Sequence, residues 1–160
     1  MLNNVKQLLR NFEIVLSGFF LCITVLVVIL NVAMRYLLNS GFFWAEEVAT
    51  TCFIWSVFIG AAAAYKHKMH IGIEFITRLG PIAVRRTLAV LIDCMMVIIN
   101  GYIVYLSYLF IQSNTLKRTP VLDIPAIYVN SALSVGFTLI TLHALAFLYK
   151  DLCLLFSKNK

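Results

Sequence analysis

Charge is scarce in this chain. Asp, Glu, Lys and Arg make up 12% of its 160 residues, against roughly a quarter in soluble proteins. Four stretches contain none of the four: residues 14–34, 48–65, 94–116 and 124–149, of 21, 18, 23 and 26 residues. A water-soluble domain of this size has no interior able to hide so much apolar surface. At about 1.5 Å rise per residue, each run crosses a hydrocarbon core of roughly 30 Å as a helix. The runs also lack the polar alternation of barrel strands, which excludes the other spanning architecture. An all-α integral membrane protein is therefore expected, one domain over residues 1–160. Its four transmembrane helices should lie near 12–38, 44–66, 81–116 and 125–152.

Other absences narrow the function. No A-x-A-like cleavage site follows the first run, which is longer than the usual signal core of about 7–15 residues, so it reads as a retained helix. Cys22, Cys52, Cys94 and Cys153 lie far apart with no C-x-x-C pair, and read as small apolar packing residues. There is no phosphate loop, no H-E-x-x-H and no nucleophile paired with a base. No enzyme, no metal site and no cofactor is expected in this chain. His143 is the one histidine within a span, and a haem anchor would need axial ligands from other spans at the same depth.

The charges that are present sit between the runs. The net charge is +6, but its placement follows the positive-inside rule and argues for lipid headgroups rather than nucleic acid. Lys6, Arg10, Lys66, Lys68, Arg78, Arg85, Arg86, Lys150, Lys158 and Lys160 fall on one side. Only Arg35, Lys117 and Arg118 fall on the other. Both termini are thus expected in the cytoplasm. In the second connection, Ile71, Phe75, Ile76 and Leu79 recur at helical steps, which predicts a short interfacial amphipathic helix over 71–79 between helices 2 and 3. His70, Arg78, Arg85 and Arg86 would lie at headgroup level around it.

Polar residues inside the spans repeat every seven positions: Ser17, Thr24 and Asn31 in the first helix, and Asp93, Asn100, Ser107 and Asn114 in the third. A seven-residue step keeps each series on one side of its helix, and such stripes avoid lipid by packing on a neighbouring helix or on a second membrane protein. The second helix offers small residues, Cys52, Ser56, Gly60 and Ala64, at four-residue steps that permit close approach. Asp93 falls near the cytoplasmic end of its helix, within two turns of Arg85 and Arg86, and reads as a structural anchor. A self-sufficient transporter would show several midplane charges or broken helices; neither is present.

The first connection carries the most specific local pattern. Arg35-Tyr36 closes the first helix, and Trp44-Ala45-Glu46-Glu47 opens the second. Carboxylates at a helix amino terminus complement its dipole, and Trp44 suits the interfacial aromatic belt. Arg35 is expected to pair with Glu46 or Glu47 as a clamp across the hairpin. Alternatively the carboxylates face outward and meet a basic partner.

With these residues in order, Asn31, Arg35-Tyr36, Trp44-Ala45-Glu46-Glu47, Trp55, Gly60-Ala61-Ala62, His70-Ile71, Thr119-Pro120, Ile124-Pro125 and Gly136, the chain resembles the small membrane subunit of the tripartite ATP-independent periplasmic (TRAP) transporters. The likeness covers almost the whole sequence. It departs from the family's usual pattern at Lys66-His67-Lys68 and at Glu74, where Asp is common. The resemblance implies an accessory role in the bacterial inner membrane. Its partners would be a large multi-spanning subunit that carries the sodium and substrate sites, and a periplasmic binding protein that delivers an organic acid such as a sialic acid or a C4-dicarboxylate. Two other classes remain open on the residues alone: a membrane anchor of a respiratory enzyme, and a small homo-oligomeric exporter or channel.

Overall fold

The computed structural model describes residues 11–77 and 82–156, with side chains for 11–67 and 87–153. The described residues form four helices: α1 (Phe12–Leu38), α2 (Ala45–Thr77), α3 (Ile82–Ser113) and α4 (Ile127–Phe156). Each includes a stretch long and apolar enough to cross a membrane.

The helix ends follow local chemistry. Helix α1 stops at Asn39, whose φ of 50° is left-handed, a conformation that Asn tolerates better than most residues. Helix α2 starts where the Ala45 N–H donates to the Phe42 carbonyl and the Val48 N–H to that of Trp44. Its first turn holds Glu46 and Glu47. Helix α3 ends at Ser113, short of the expected residue 116, because the Asn114 N–H turns to the Ile111 carbonyl and the Lys117 N–H to that of Asn114.

One expected element takes a different form. The segment predicted as a separate interfacial helix is helical up to Thr77, but it continues α2 without a break. No residue between Ala45 and Thr77 is Pro, and the backbone ladder simply runs on. Arg78 lies outside the described residues. His70, Arg85 and Arg86 lie on helical backbone, but their side chains are outside the described set.

The helices stand in a row rather than around a centre. Among the described residues the α1 backbone lies against α2 alone, that of α2 against α4, and that of α4 against α3, with a slight further approach of α2 and α3. No residue of α1 is buried. Among the described residues the buried apolar positions are nearly all alanine, at Ala45, Ala49, Ala62, Ala63, Ala89, Ala132 and Ala144, with Ile59 the exception. Small residues at the seams and large ones outside is the order expected when the surrounding solvent is as apolar as leucine.

Candidate functional site

The seam between α1 and α2 is built from the first polar stripe. The Ser17 hydroxyl donates to the Ser56 carbonyl at 3.0 Å, and the Ser56 hydroxyl donates to the Ser17 carbonyl at 2.9 Å. One turn further along α2, Gly60 leaves the space this needs, for a Cβ there would stand 2.7 Å from Ser17 Oγ. Thr24 Oγ1 donates to its own Phe20 carbonyl at 3.0 Å and more weakly to that of Ala49 at 3.4 Å. Asn31 Oδ1 accepts the Phe42 N–H at 2.8 Å, holding the hairpin loop against the end of α1. Ser17 and Thr24 therefore face α2, and Asn31 faces the loop that leads into it. Of the small residues on α2, Ser56 and Gly60 lie in this seam, whereas Ala64 is exposed.

The second stripe is buried. Asp93, Ser107, Asn100 and Asn114 are all withdrawn from the surface, Asp93 completely. The last three satisfy themselves on their own helix: Asn100 Nδ2 donates to the Met96 carbonyl, Ser107 Oγ to that of Ile103, and Asn114 Nδ2 to that of Phe110, at 2.7–2.8 Å. Bonding back one turn lets a polar side chain lie in an apolar seam at little cost. Between α2 and α4, Gly136 meets the backbone of Phe58, and Trp55 Nε1 donates to the Tyr128 carbonyl at 3.2 Å.

The expected clamp is not formed. Arg35 is exposed and makes no ion pair among the described residues. Glu47 is turned instead to the α3–α4 connection, where Oε2 accepts the N–H groups of Val121 and Leu122 at 3.1 and 3.2 Å. A carboxylate gains more from two convergent backbone donors than from one flexible guanidinium in water. That connection is itself a tight turn. Thr119 N–H donates to the Ile124 carbonyl, Ala126 N–H to that of Lys117, and Ile124 N–H to Thr119 Oγ1. Arg118 meets Asp123 at 2.8 Å, with Asp123 at a φ of 53°. Between turn and hairpin lies an open groove of roughly 400 Å³, bordered by Phe43, Glu46, Thr50, Thr119 and Pro120. Glu46 and Phe43 are exposed there, and Trp44 stacks obliquely on Phe42 with ring centres 5.2 Å apart.

At the opposite end, a cluster absent from the sequence reading joins three helices. Glu13 of α1 lies 2.8 Å from His143 Nε2 of α4 and 3.8 Å from Lys66 Nζ of α2. All three side chains are largely covered. Glu13 could have been noticed as the lone carboxylate at the mouth of an apolar run, at the same depth as Lys66. This contact also engages the His143 nitrogen that a haem anchor would require. Among the described residues no three His, Cys, Asp or Glu side chains converge as a metal site, and all four cysteines are free thiols.

Four helices long and apolar enough to span a membrane, joined by polar seams, define an all-α integral membrane protein. The model of the family described as "Tripartite ATP-independent periplasmic transporters, DctQ component" matches residues 24–154, and the chain belongs to that family. It is 26% identical over 135 residues to the sialic acid TRAP transporter small permease protein SiaQ of Vibrio cholerae, covering 84% of this chain and 78% of that one. It is 33% identical over 87 residues to the C4-dicarboxylate TRAP transporter small permease protein DctQ of the same organism, covering 54% of this chain and 38% of that one. Members of this family are components of transporters rather than enzymes, and the chain is a multi-pass protein of the bacterial inner membrane.

Proposed function

We propose that this chain is the accessory small subunit of a sodium-coupled transporter that imports an organic acid such as a sialic acid or a C4-dicarboxylate. It braces the large transport subunit and helps dock the periplasmic binding protein. The carrying observation is the family match together with an open row of helices whose seams are filled by alanine, glycine and serine. Such a row holds neighbours in register and leaves the ion and substrate sites to the partner. The exposed Arg35 and Glu46 and the groove beside Phe43 suit the docking role, since solvated charges at a rim steer encounter and select partners. In this reading the hairpin end faces the periplasm and both termini the cytoplasm, the orientation that the lysine and arginine distribution favours.

Reconstitution tests the reading. Vesicles containing both membrane subunits should take up the organic acid when given a sodium gradient and the binding protein, and vesicles with this chain alone should not. Transport by this chain alone, or equal transport by the large subunit without it, would overturn the assignment.

A further inference from the structure

Tyrosines of membrane proteins settle near the two interfaces, where the ring is sheltered and the hydroxyl is wet. Tyr36, Tyr128 and Tyr149 obey this, being exposed near helix ends. Tyr108 is exposed, and its oxygen accepts from Gln112 Nε2 at 3.1 Å. Tyr102 and Tyr105 break the pattern. They are 62% and 57% exposed, and neither hydroxyl bonds to any described residue. The apolar span of α3 is Thr87–Ser113, and its charge-free run is 94–116. Whichever of the two is centred in the bilayer, both tyrosines lie within about 8 Å of the midplane along the helix, and the core extends about 15 Å to either side. No water is within reach, and lipid tails offer no acceptor, so two unpaired hydroxyls would be left in hydrocarbon at real cost.

The two tyrosines belong to a longer series. Leu91, Met95, Ile98, Tyr102, Tyr105 and Leu109 follow one another at alternating steps of four and three residues, and all are exposed. This is the spacing by which one helix reads another, and it lies opposite the buried stripe of Asp93, Asn100, Ser107 and Asn114. The other edge of the row differs. The outward side of α1 shows Val15, Phe19, Leu26 and Leu30, with the Cys22 thiol as its one weakly polar group, a surface that lipid satisfies.

We propose that the outer face of α3 is the surface by which this chain holds a transmembrane helix of the large subunit. Tyr102 and Tyr105 donate hydrogen bonds to acceptors of that helix inside the hydrocarbon core. The inference rests on the small-subunit reading and adds to it the contact face and its chemistry.

The test uses the full chain co-expressed with its large subunit. A photo-crosslinking amino acid is placed at Ile98 or Leu109 and, for comparison, at Phe19 or Leu26. Adducts with the large subunit should form from the two α3 positions and not from the two α1 positions. Adducts from α1 alone, or adducts from α3 only to a second copy of this chain, would overturn the proposal. Failure of the unaltered chain to co-purify with the large subunit would instead count against the small-subunit reading itself. The chemistry is tested separately by combining Tyr102→Phe with Tyr105→Phe, which removes two oxygens and no packing volume. With membrane levels of this chain unchanged, the double variant should retain severalfold less large subunit in mild detergent. Undiminished retention would show that the hydroxyls have no partner there.

Discussion

Gly60 and Gly136 both mark close crossings, but what stands opposite differs. A Cβ on Gly60 meets the hydroxyl of Ser17 at 2.7 Å, so Gly60→Ala breaks one reciprocal bond and costs about 1–3 kcal/mol through overpacking. Ser17→Ala removes the clashing oxygen, and the double variant should therefore be more stable than the sum of its parts predicts. A Cβ on Gly136 meets Phe58 Cβ at 2.7 Å and its backbone oxygen at 3.0 Å. No side chain with a Cβ at position 58 clears that path, and the backbone oxygen stays in it whatever stands there. Gly136→Ala should destabilise more than Gly60→Ala, and Phe58→Ala should not rescue it. Thermal unfolding in detergent of the single and double variants measures both; rescue at Gly136, or additivity at Gly60, would contradict the geometry.

Between elements, the Glu13, His143 and Lys66 contact is what draws α1 toward α4, two helices whose backbones do not meet. Glu13→Gln and His143→Gln should each loosen that end, with a coupling in the double variant of about 0.5–3 kcal/mol. Strict additivity would mean the two side chains stabilise independently. Periodicity carried much of the element level. The seven-residue stripes marked the sides of α1 and α3 that turn from lipid, because 3.6 residues per turn ties spacing to direction, and left open whether a helix of this chain or of another covers them. It carried no information on which helix lies beside which. That α4 stands between α2 and α3, that Glu13 meets a histidine 130 positions away, and that Glu47 serves a loop 74 positions away are consequences of tertiary pairing. The expected Arg35 clamp failed for the same reason. It was drawn between near neighbours in sequence, while a nearer pair of backbone donors arrived from a distant loop.

For the whole molecule, the lopsided placement of lysine and arginine gives a direct expectation. In a cysteine-free background, cysteines at Asn39 and Val121 should react with an impermeant thiol reagent added to intact cells, and cysteines at Thr77 and Asn159 should not. The reverse pattern would invert the proposed orientation, and with it the docking role of the hairpin end.

A row one helix thick also has mechanical properties that a bundle lacks. Each seam is tied along its length by close small-residue contact, which resists sliding of one helix past the next. Among the described residues little lies behind the seams to resist folding about them. The array is therefore stiff against shear in its own plane and compliant to bending out of it, like a hinged screen. The polar contact of Glu13 with His143, between non-adjacent helices, limits the bending at its end. In the bracing role proposed above, such a row would keep a neighbour from shifting vertically in the bilayer while taking its curvature from the surface it is fastened to.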